Sequence, residues 1–456
     1  MTDLYGQLFR RLLYPSWEGG LRQRPTLEHL KRLERTQWCS LDELHAFQQA
    51  ELDKLLSHVW KSVPHYRARF EESGLGPSDR LSVEDLNKLP LLTRADASRN
   101  LEARKSTSPP LPVIDKSTSG TSGNPLVFAY DRGSEYWRQA TKLRGYAWAG
   151  YQPGDRSLHF WGAPPVAPPP LAKRAKVSLD HWVRRELYIA CTDCSEAALS
   201  EVVRLIRKQG PSVIVCYAQA GAALARHVNE TGSRTWNDIS VIAAAERLFS
   251  SDRAAIAQAF GPQVFETYGS REVMLIAAEC EAHQGLHLSM ENLVVEVIVR
   301  DANGERPAQP GELGEVVVTD LHNYGAPFIR YLTGDLAIRS DQGSCACGRS
   351  LPRLQAIEGR TMDTLRDGAG RAVSGMFFSV LFAALADKVR QFQVVQRKDR
   401  AIDLRIVPTS LFDDSLLERV QSHCVQFIPG VEFRTEIVEQ LTPDRGGKLR
   451  VVVVES

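Results

Sequence analysis

Ser117-Thr118-Ser119-Gly120-Thr121-Ser122-Gly123-Asn124-Pro125 concentrates hydroxyls and glycines in one short stretch. Glycine adopts φ > 0 without a Cβ penalty, so amide N–H groups can converge on an anion, and Ser and Thr hydroxyls add donors without bulk. The stretch reads as the phosphate loop of a nucleotide site. It lacks a Gly-Lys-Ser/Thr ending, which excludes the P-loop of kinases and GTPases. By composition alone a flexible linker fits as well, so the flanking sequence decides between the two.

N-terminal to the loop, apolar residues recur at helical spacing over 41–60, and Ser82 with Asp85 reads as a capping box opening a further short helix. Residues 1–110 are therefore expected to be mostly helical. On the C-terminal side, 136–150 is again helical in pattern, while 212–217 and 239–244 are short apolar runs of the kind buried parallel strands carry. The alternation predicts an α/β core. After Gly285 the valine-rich segments 293–299 and 315–319, separated by Asp301-Ala302-Asn303-Gly304 and Gln309-Pro310-Gly311, predict antiparallel strands. The proline-rich 163–170 reads as a rigid surface loop.

Beyond Gly359-Arg360 a second complete pattern begins, with a helix at 377–388, strands at 392–396 and 402–407, a helix at 410–424 and a strand at 431–438. The expected architecture is a large multi-layered α/β domain over 1–359 and a small α+β domain over 360–456. No internal repeat is visible.

The 456 residues carry 56 Lys and Arg against 55 Asp and Glu, a balance that gives no footprint for nucleic acid or an anionic membrane as partner. The N-terminus has no secretory apolar core, and the longest apolar run, 376–386, is too short to span a bilayer. A cytoplasmic location is expected, with the eight cysteines as reduced thiols or metal ligands rather than a disulfide framework.

Taken in order, the 117–125 loop, Glu266-Thr267-Tyr268-Gly269-Ser270-Arg271-Glu272, Arg330-Tyr331-Leu332-Thr333-Gly334-Asp335, Gly359-Arg360 and Gly447-Lys448 resemble the motif series of the adenylate-forming enzymes. The resemblance spans most of the chain and is to the phenylacetate-CoA ligase (CapK-like) branch. Its further marks are Tyr66-Arg67-Ala68-Arg69-Phe70, Lys88-Leu89-Pro90, Glu279-Cys280 with Gly285-Leu286-His287, and Cys345-Ala346-Cys347-Gly348-Arg349.

That resemblance implies a small mobile C-terminal domain and activation of a carboxylic acid, aromatic by analogy, as acyl-AMP using ATP and Mg²⁺, then acyl transfer to CoA. It further implies that Thr118, Ser119, Gly120, Thr121 and Gly123 hold the β- and γ-phosphates, that Glu272 helps hold Mg²⁺, and that Tyr268 and Gly269 lie beside the adenine and acyl pocket. Asp335 would accept from the ribose hydroxyls, Arg360 would support the ribose or phosphate side, Glu246 would lie near the adenine, and Lys448 would bridge carboxylate and α-phosphate. Trp161, Tyr217 and Tyr268 are the candidates for the acid pocket.

Three departures from the family pattern stand out. Asn124 occupies a position where many relatives have Lys, Arg271 replaces a Thr and is expected to restore charge near the phosphates, and Cys216-Tyr217-Ala218-Gln219 replaces Gly-Tyr-Pro-Ser beside the acyl pocket.

Cys280, His287, Cys345 and Cys347 supply three sulfurs and an imidazole, a set suited to structural Zn²⁺, with buried free thiols as the alternative and His283 as a spare ligand. Two other outcomes share the first half-reaction: an amide synthetase and a loader of a carrier-protein thiol. From a different class, a zinc-containing binding module would need no ATP.

Overall fold

A computed structural model describes residues 3–117, 126–162, 170–301, 304–341, 343–360, 364–370, 372–374, 378, 382, 385, 388–441 and 451–455. The phosphate-loop residues Thr118, Ser119, Gly120, Thr121 and Gly123, the catalytic candidate Lys448 and the proline-rich 163–169 lie outside the described residues, as does most of the expected 377–388 helix.

A mixed sheet of twelve strands carries the large α/β domain. One half is parallel: Glu186–Ile189, Ser157–Phe160, Val213–Tyr217, Ser240–Ala244 and Val264–Ser270 lie side by side in that spatial order. Val213–Tyr217 is buried along its whole length, as expected of a strand covered on both faces by crossover helices. Helices Glu196–Gln209, Ala218–Thr231 and Ser250–Phe260 make crossovers, and their apolar sides close one core with Leu158, Ile214, Val241 and Val264.

Val264–Ser270 is the seam of the sheet, pairing parallel with Ser240–Ala244 on one edge and antiparallel with Met274–Glu279 on the other. From there the sheet continues antiparallel through Leu286–Leu288, Arg353–Arg360, Tyr331–Arg339, Leu313–Asp320, Leu293–Asp301 and Gly304–Pro307. The expected antiparallel strands at 293–299 and 315–319 pair with each other. The sequence pattern missed Ser157–Phe160, Glu186–Ile189, Met274–Glu279, Tyr331–Arg339 and Arg353–Arg360, which are too short or too mixed in polarity to carry a period of their own.

The N-terminal region is helical as expected, with Leu41–Ser62 opened by a reciprocal Ser40/Glu43 capping box. Ser82 and Asp85 also exchange backbone–side-chain bonds of 3.0 and 3.2 Å, and the element they open is a 3₁₀ turn, Glu84–Lys88. The hairpin Val113–Ser117/Val127–Asp131 flanks the phosphate loop. Helix Arg132–Trp148 crosses the interior and carries two arginines that are at most 2% exposed. Arg138 pairs with Asp320 at 2.8 Å and Arg144 with Glu291, which satisfies the rule that a buried charge needs a partner.

The small C-terminal domain has its own four-stranded sheet, Phe433–Ile437, Ile402–Pro408, Val389–Gln396 and Val452–Val454, packed on helix Asp414–Phe427. Its core, including Phe378, Val394, Leu404, Leu416 and Val420, is separate from that of the large sheet. The edge strand Val452–Val454 was not visible in the sequence pattern. It pairs parallel with Val389–Gln396 and closes the sheet on that side.

Candidate active site and a cysteine–histidine cluster

The parallel strands deliver their carboxyl ends to one rim, where open α/β sheets bind ligands. Trp161 follows Ser157–Phe160, Tyr217 ends the neighbouring strand, and their rings meet edge to face with centroids 4.5 Å apart. Glu246 follows Ser240–Ala244, after Ala245 at φ +68°. Its carboxylate accepts the Gln219 backbone N–H at 3.1 Å, at the start of helix Ala218–Thr231. A carboxylate suits a helix N-terminus, so Glu246 has a structural task besides the role the resemblance implied.

At the seam, Tyr268 donates its hydroxyl to Asp335 Oδ2 at 2.8 Å, joining two motifs 67 residues apart. Asp335 is 6% exposed, and its backbone N–H donates to Thr333 Oγ1 at 3.1 Å, beside Gly334 at φ +79°. The backbone of Arg360 sits opposite Asp335 in the adjacent strand; its side chain lies outside the described residues. Gly269 has a steric reason to be glycine. A Cβ there would stand 2.1 Å from the Met274 carbonyl oxygen, so a side chain would push apart the tight return that positions Tyr268 and Glu272.

Glu272 is buried, and its Oε1 receives the Tyr331 hydroxyl and the Arg94 guanidinium, each at 3.4 Å. Burial, and next the Glu272 charge, push the Tyr331 phenol well above its ordinary pKa, so it is a neutral donor. Arg271 is exposed on the turn before Glu272, within electrostatic reach of Tyr130 on the loop-flanking hairpin.

The family marks near the N-terminus now have a physical task. Tyr66 donates to the Pro327 carbonyl at 2.9 Å and accepts the Ile329 N–H at 3.0 Å. Arg69 bonds the Leu91 carbonyl at 2.9 Å. Arg330, 1% exposed at φ +47°, bonds the Leu89 carbonyl at 2.6 Å and pairs with Glu296 and Glu305. Together they fix the approach to the strand that presents Asp335. Arg94 carried no signal in the sequence, whereas Tyr331 lay unremarked inside a quoted motif.

The second site lies across the antiparallel half. Cys280, His287, Cys345 and Cys347 bring one ligand atom each to within 4.8 Å of one another. Cys280 and Cys345 sulfurs are 3.7 Å apart, and Cys347 Sγ is 3.3 Å from His287 Nε2. The three cysteines of the set are free thiols. Tetrahedral zinc with Zn–S near 2.3 Å and Zn–N near 2.0 Å would have edges of about 3.8 Å (S···S) and about 3.5 Å (S···N), close to these separations.

His287 Nδ1 lies 2.9 Å from the Leu351 carbonyl, which can only accept, so Nδ1 carries the proton and Nε2 faces the sulfurs as a lone pair. Burial lowers the His287 pKa to about 4, which keeps the ring neutral. Burial, first among the causes, pushes the Cys280 thiol up to about 12. At Cys347 the same burial is outweighed, with the Arg349 backbone N–H foremost, and the pKa falls. Arg349 also bonds Glu281 and lies over Trp38 and Trp148, bracing the loop. His283 is not in the set; its Nδ1 is 3.5 Å from Glu279.

Residues 365–455 match the CapK C-terminal domain family. Phenylacetate-coenzyme A ligase of Thermus thermophilus is 26% identical over 386 residues, 83% of this chain and 82% of that one. The Escherichia coli protein of the same name is 27% identical over 347 residues, 73% and 75% of the two chains. The crystal structure of 2-hydroxyisobutyryl-CoA ligase in the postadenylation state, in complex with R3-HIB-AMP, shares the fold with a TM-score of 0.70, at 19% identity over 92% of each chain. The chain is thus similar to the phenylacetate-coenzyme A ligases over most of its length, and its C-terminal residues match the CapK C-terminal domain.

Proposed function

We propose that this chain is an AMP-forming acid–thiol ligase, activating a carboxylic acid with ATP and passing the acyl group to CoA. The observation that carries the reading is the Tyr268–Asp335 hydrogen bond at the carboxyl rim. It joins the residues expected beside the adenine and at the ribose, in a chain whose relatives are named as CoA ligases.

A carboxylate is a poor acyl donor because its leaving group would be oxide. In the first step a carboxylate oxygen bonds to the α-phosphorus as the bond to diphosphate breaks; in the second a thiolate sulfur adds to the acyl carbon and AMP leaves. Asp335 would accept both ribose hydroxyls, since a carboxylate offers two acceptor oxygens. Thr118, Ser119, Gly120, Thr121 and Gly123 would cradle the outer phosphates, Arg360 would support the ribose side, and Lys448 would bridge the two reacting anions.

Glu272 offers hard carboxylate oxygens of the kind Mg²⁺ takes, and one of them already meets a cation, Arg94. When bound, Mg²⁺ would supply charge screening at the phosphates. The Trp161–Tyr217 pair supports an aromatic acid, with Glu246 on the same rim.

Cys280, His287, Cys345 and Cys347 would hold a structural Zn²⁺; four protein ligands leave no open position, so the ion would stabilise the fold and take no part in the reaction. A domain boundary at Gly359-Arg360 is supported by the sheets: Arg360 ends a strand of the large sheet, and the described strands after it pair only with one another. A cytoplasmic location fits the free thiols, and no helix among the described residues is long and apolar enough to cross a membrane.

Exchange of labelled diphosphate into ATP over a panel of carboxylic acids tests the first step; no exchange with any acid overturns the reading. Product analysis with CoA, amines and a carrier protein then identifies the acceptor.

A further inference from the structure

We propose that helix Leu171–Arg184 docks this protein on an anionic lipid surface, with its apolar side in the headgroup boundary and its lysines against the lipid phosphates. The inference stands apart from the adenylation reading. It starts from a helix that is turned inside out.

Leu171, Ala175, Leu179 and Trp182 fall at i, i+4, i+8 and i+11, one stripe of an α-helix. Such a stripe ordinarily faces the core. Here it faces solvent, with Leu171 79%, Leu179 60% and Trp182 75% exposed, and no residue of the helix is buried. The polar side meets the protein instead. His181 stacks on Tyr188 with ring centroids 4.4 Å apart, and Asp180, His181 and Arg184 line a polar cavity of about 200 Å³ against the edge strand Glu186–Ile189.

A second apolar stripe adjoins the first. Leu4, Leu8 and Leu12 are exposed at i, i+4 and i+8, while Phe9 on the other side is buried. This segment is tied to the end of helix Leu171–Arg184 by the Tyr5 hydroxyl, which donates to the Val183 carbonyl at 2.6 Å, and by an Arg185–Asp3 ion pair at 2.6 Å.

Charge selects the occupant. Lys173, Arg174 and Lys176 flank the stripe, exposed and with no ion pair among the described residues. The acids of the two segments are turned to partners within the protein: Asp180 to Arg184, Glu18 to Arg24 and Arg184, Asp3 to Arg185. A second copy of the chain, paired about a twofold axis, would set these cations against themselves. A basic helix with a free apolar side fits an anionic interface, where Leu and Trp enter the headgroup boundary and each Lys or Arg gains from the lipid charge. The near-balance of the whole chain, 56 basic against 55 acidic residues, conceals this local asymmetry.

The test is flotation of the purified chain with vesicles of phosphatidylcholine alone and of equal parts phosphatidylcholine and phosphatidylglycerol. Wild type is expected to bind the anionic vesicles at least about tenfold more tightly than the neutral ones, with the difference lost at about 1 M salt. K173E/K176E should lose about tenfold or more on anionic vesicles, and L179S/W182S a similar factor. R204E/K208E reverses two exposed cations of helix Glu196–Gln209, which packs on the other face of the sheet. It should bind within about twofold of wild type. All three variants should keep the wild-type melt, since the changed side chains are exposed.

No vesicle binding by wild type, equal loss in K173E/K176E and R204E/K208E, or full binding by L179S/W182S overturns the proposal. A wild-type dimer in sedimentation equilibrium that L179S/W182S splits, with no vesicle binding, overturns it in favour of a second copy.

Discussion

The cysteine–histidine cluster and the carboxylate rim are built by neighbouring strands of one sheet, yet their donors are arranged in opposite ways. In the cluster, four ligand atoms turn inward on one another, and the outer groups of His287 and Cys347 are closed off by the Leu351 carbonyl and the Arg349 backbone. At the rim, Asp335 accepts the Tyr268 hydroxyl, and Glu272 accepts the Tyr331 hydroxyl beside an equally long contact to Arg94. The first arrangement is closed and suits a stabilising role. The second holds its carboxylates in place through side-chain hydroxyls rather than closing them on one another.

Four substitutions break or sharpen that contrast. Cys345→Ser should have the largest effect, a loss of stability on the order of 5 kcal/mol with loss of bound zinc, while the folded fraction keeps its KM for ATP. Thermal unfolding and metal analysis on protein purified without chelator check it; an unchanged melt would make the cluster a set of idle thiols.

Asp335→Ala should do the reverse, lowering kcat/KM for ATP by about a hundredfold to a thousandfold, or roughly 3–4 kcal/mol, with little change in the melt. Diphosphate exchange kinetics read the first and calorimetry the second.

Gly269→Ala mixes the two behaviours, because its Cβ would meet the Met274 carbonyl at 2.1 Å. Parting the strands should cost about 2–3 kcal/mol of stability and raise the KM for ATP together with it, as denaturant titration and exchange kinetics would register. Tyr268→Phe should be mildest. Losing one donor to Asp335 costs about 1 kcal/mol, seen as a rise of about fivefold in the KM for ATP with kcat nearly kept.

Legibility in the sequence followed the range of the forces involved. Residues 41–60 and 212–217 were readable because a helix or a buried strand imposes its period on neighbouring residues, and Ser82 with Asp85 because a cap is settled within four residues. Short strands such as Ser157–Phe160 carry no period and are strands because partners on both sides complete their ladders. Among site residues, Tyr268, Asp335 and Glu272 were found through a motif resemblance, whereas Arg94 reaches Glu272 only because Leu92 is strapped to Tyr331. Glu246 was legible as a candidate, but its bond to Gln219 was not. The loop 118–125 and Lys448 remain readings of sequence.

By itself the sequence determined which chemistry is on offer and in what order: a hydroxyl and glycine loop, paired carboxylates, three thiols with an imidazole, and a late lysine. The tertiary structure decided which of these groups meet. Cys280 reaches Cys345 across 65 residues and Tyr268 reaches Asp335 across 67, because strand pairing sets neighbours by hydrogen-bond register, and register is fixed only when the whole sheet buries its faces together.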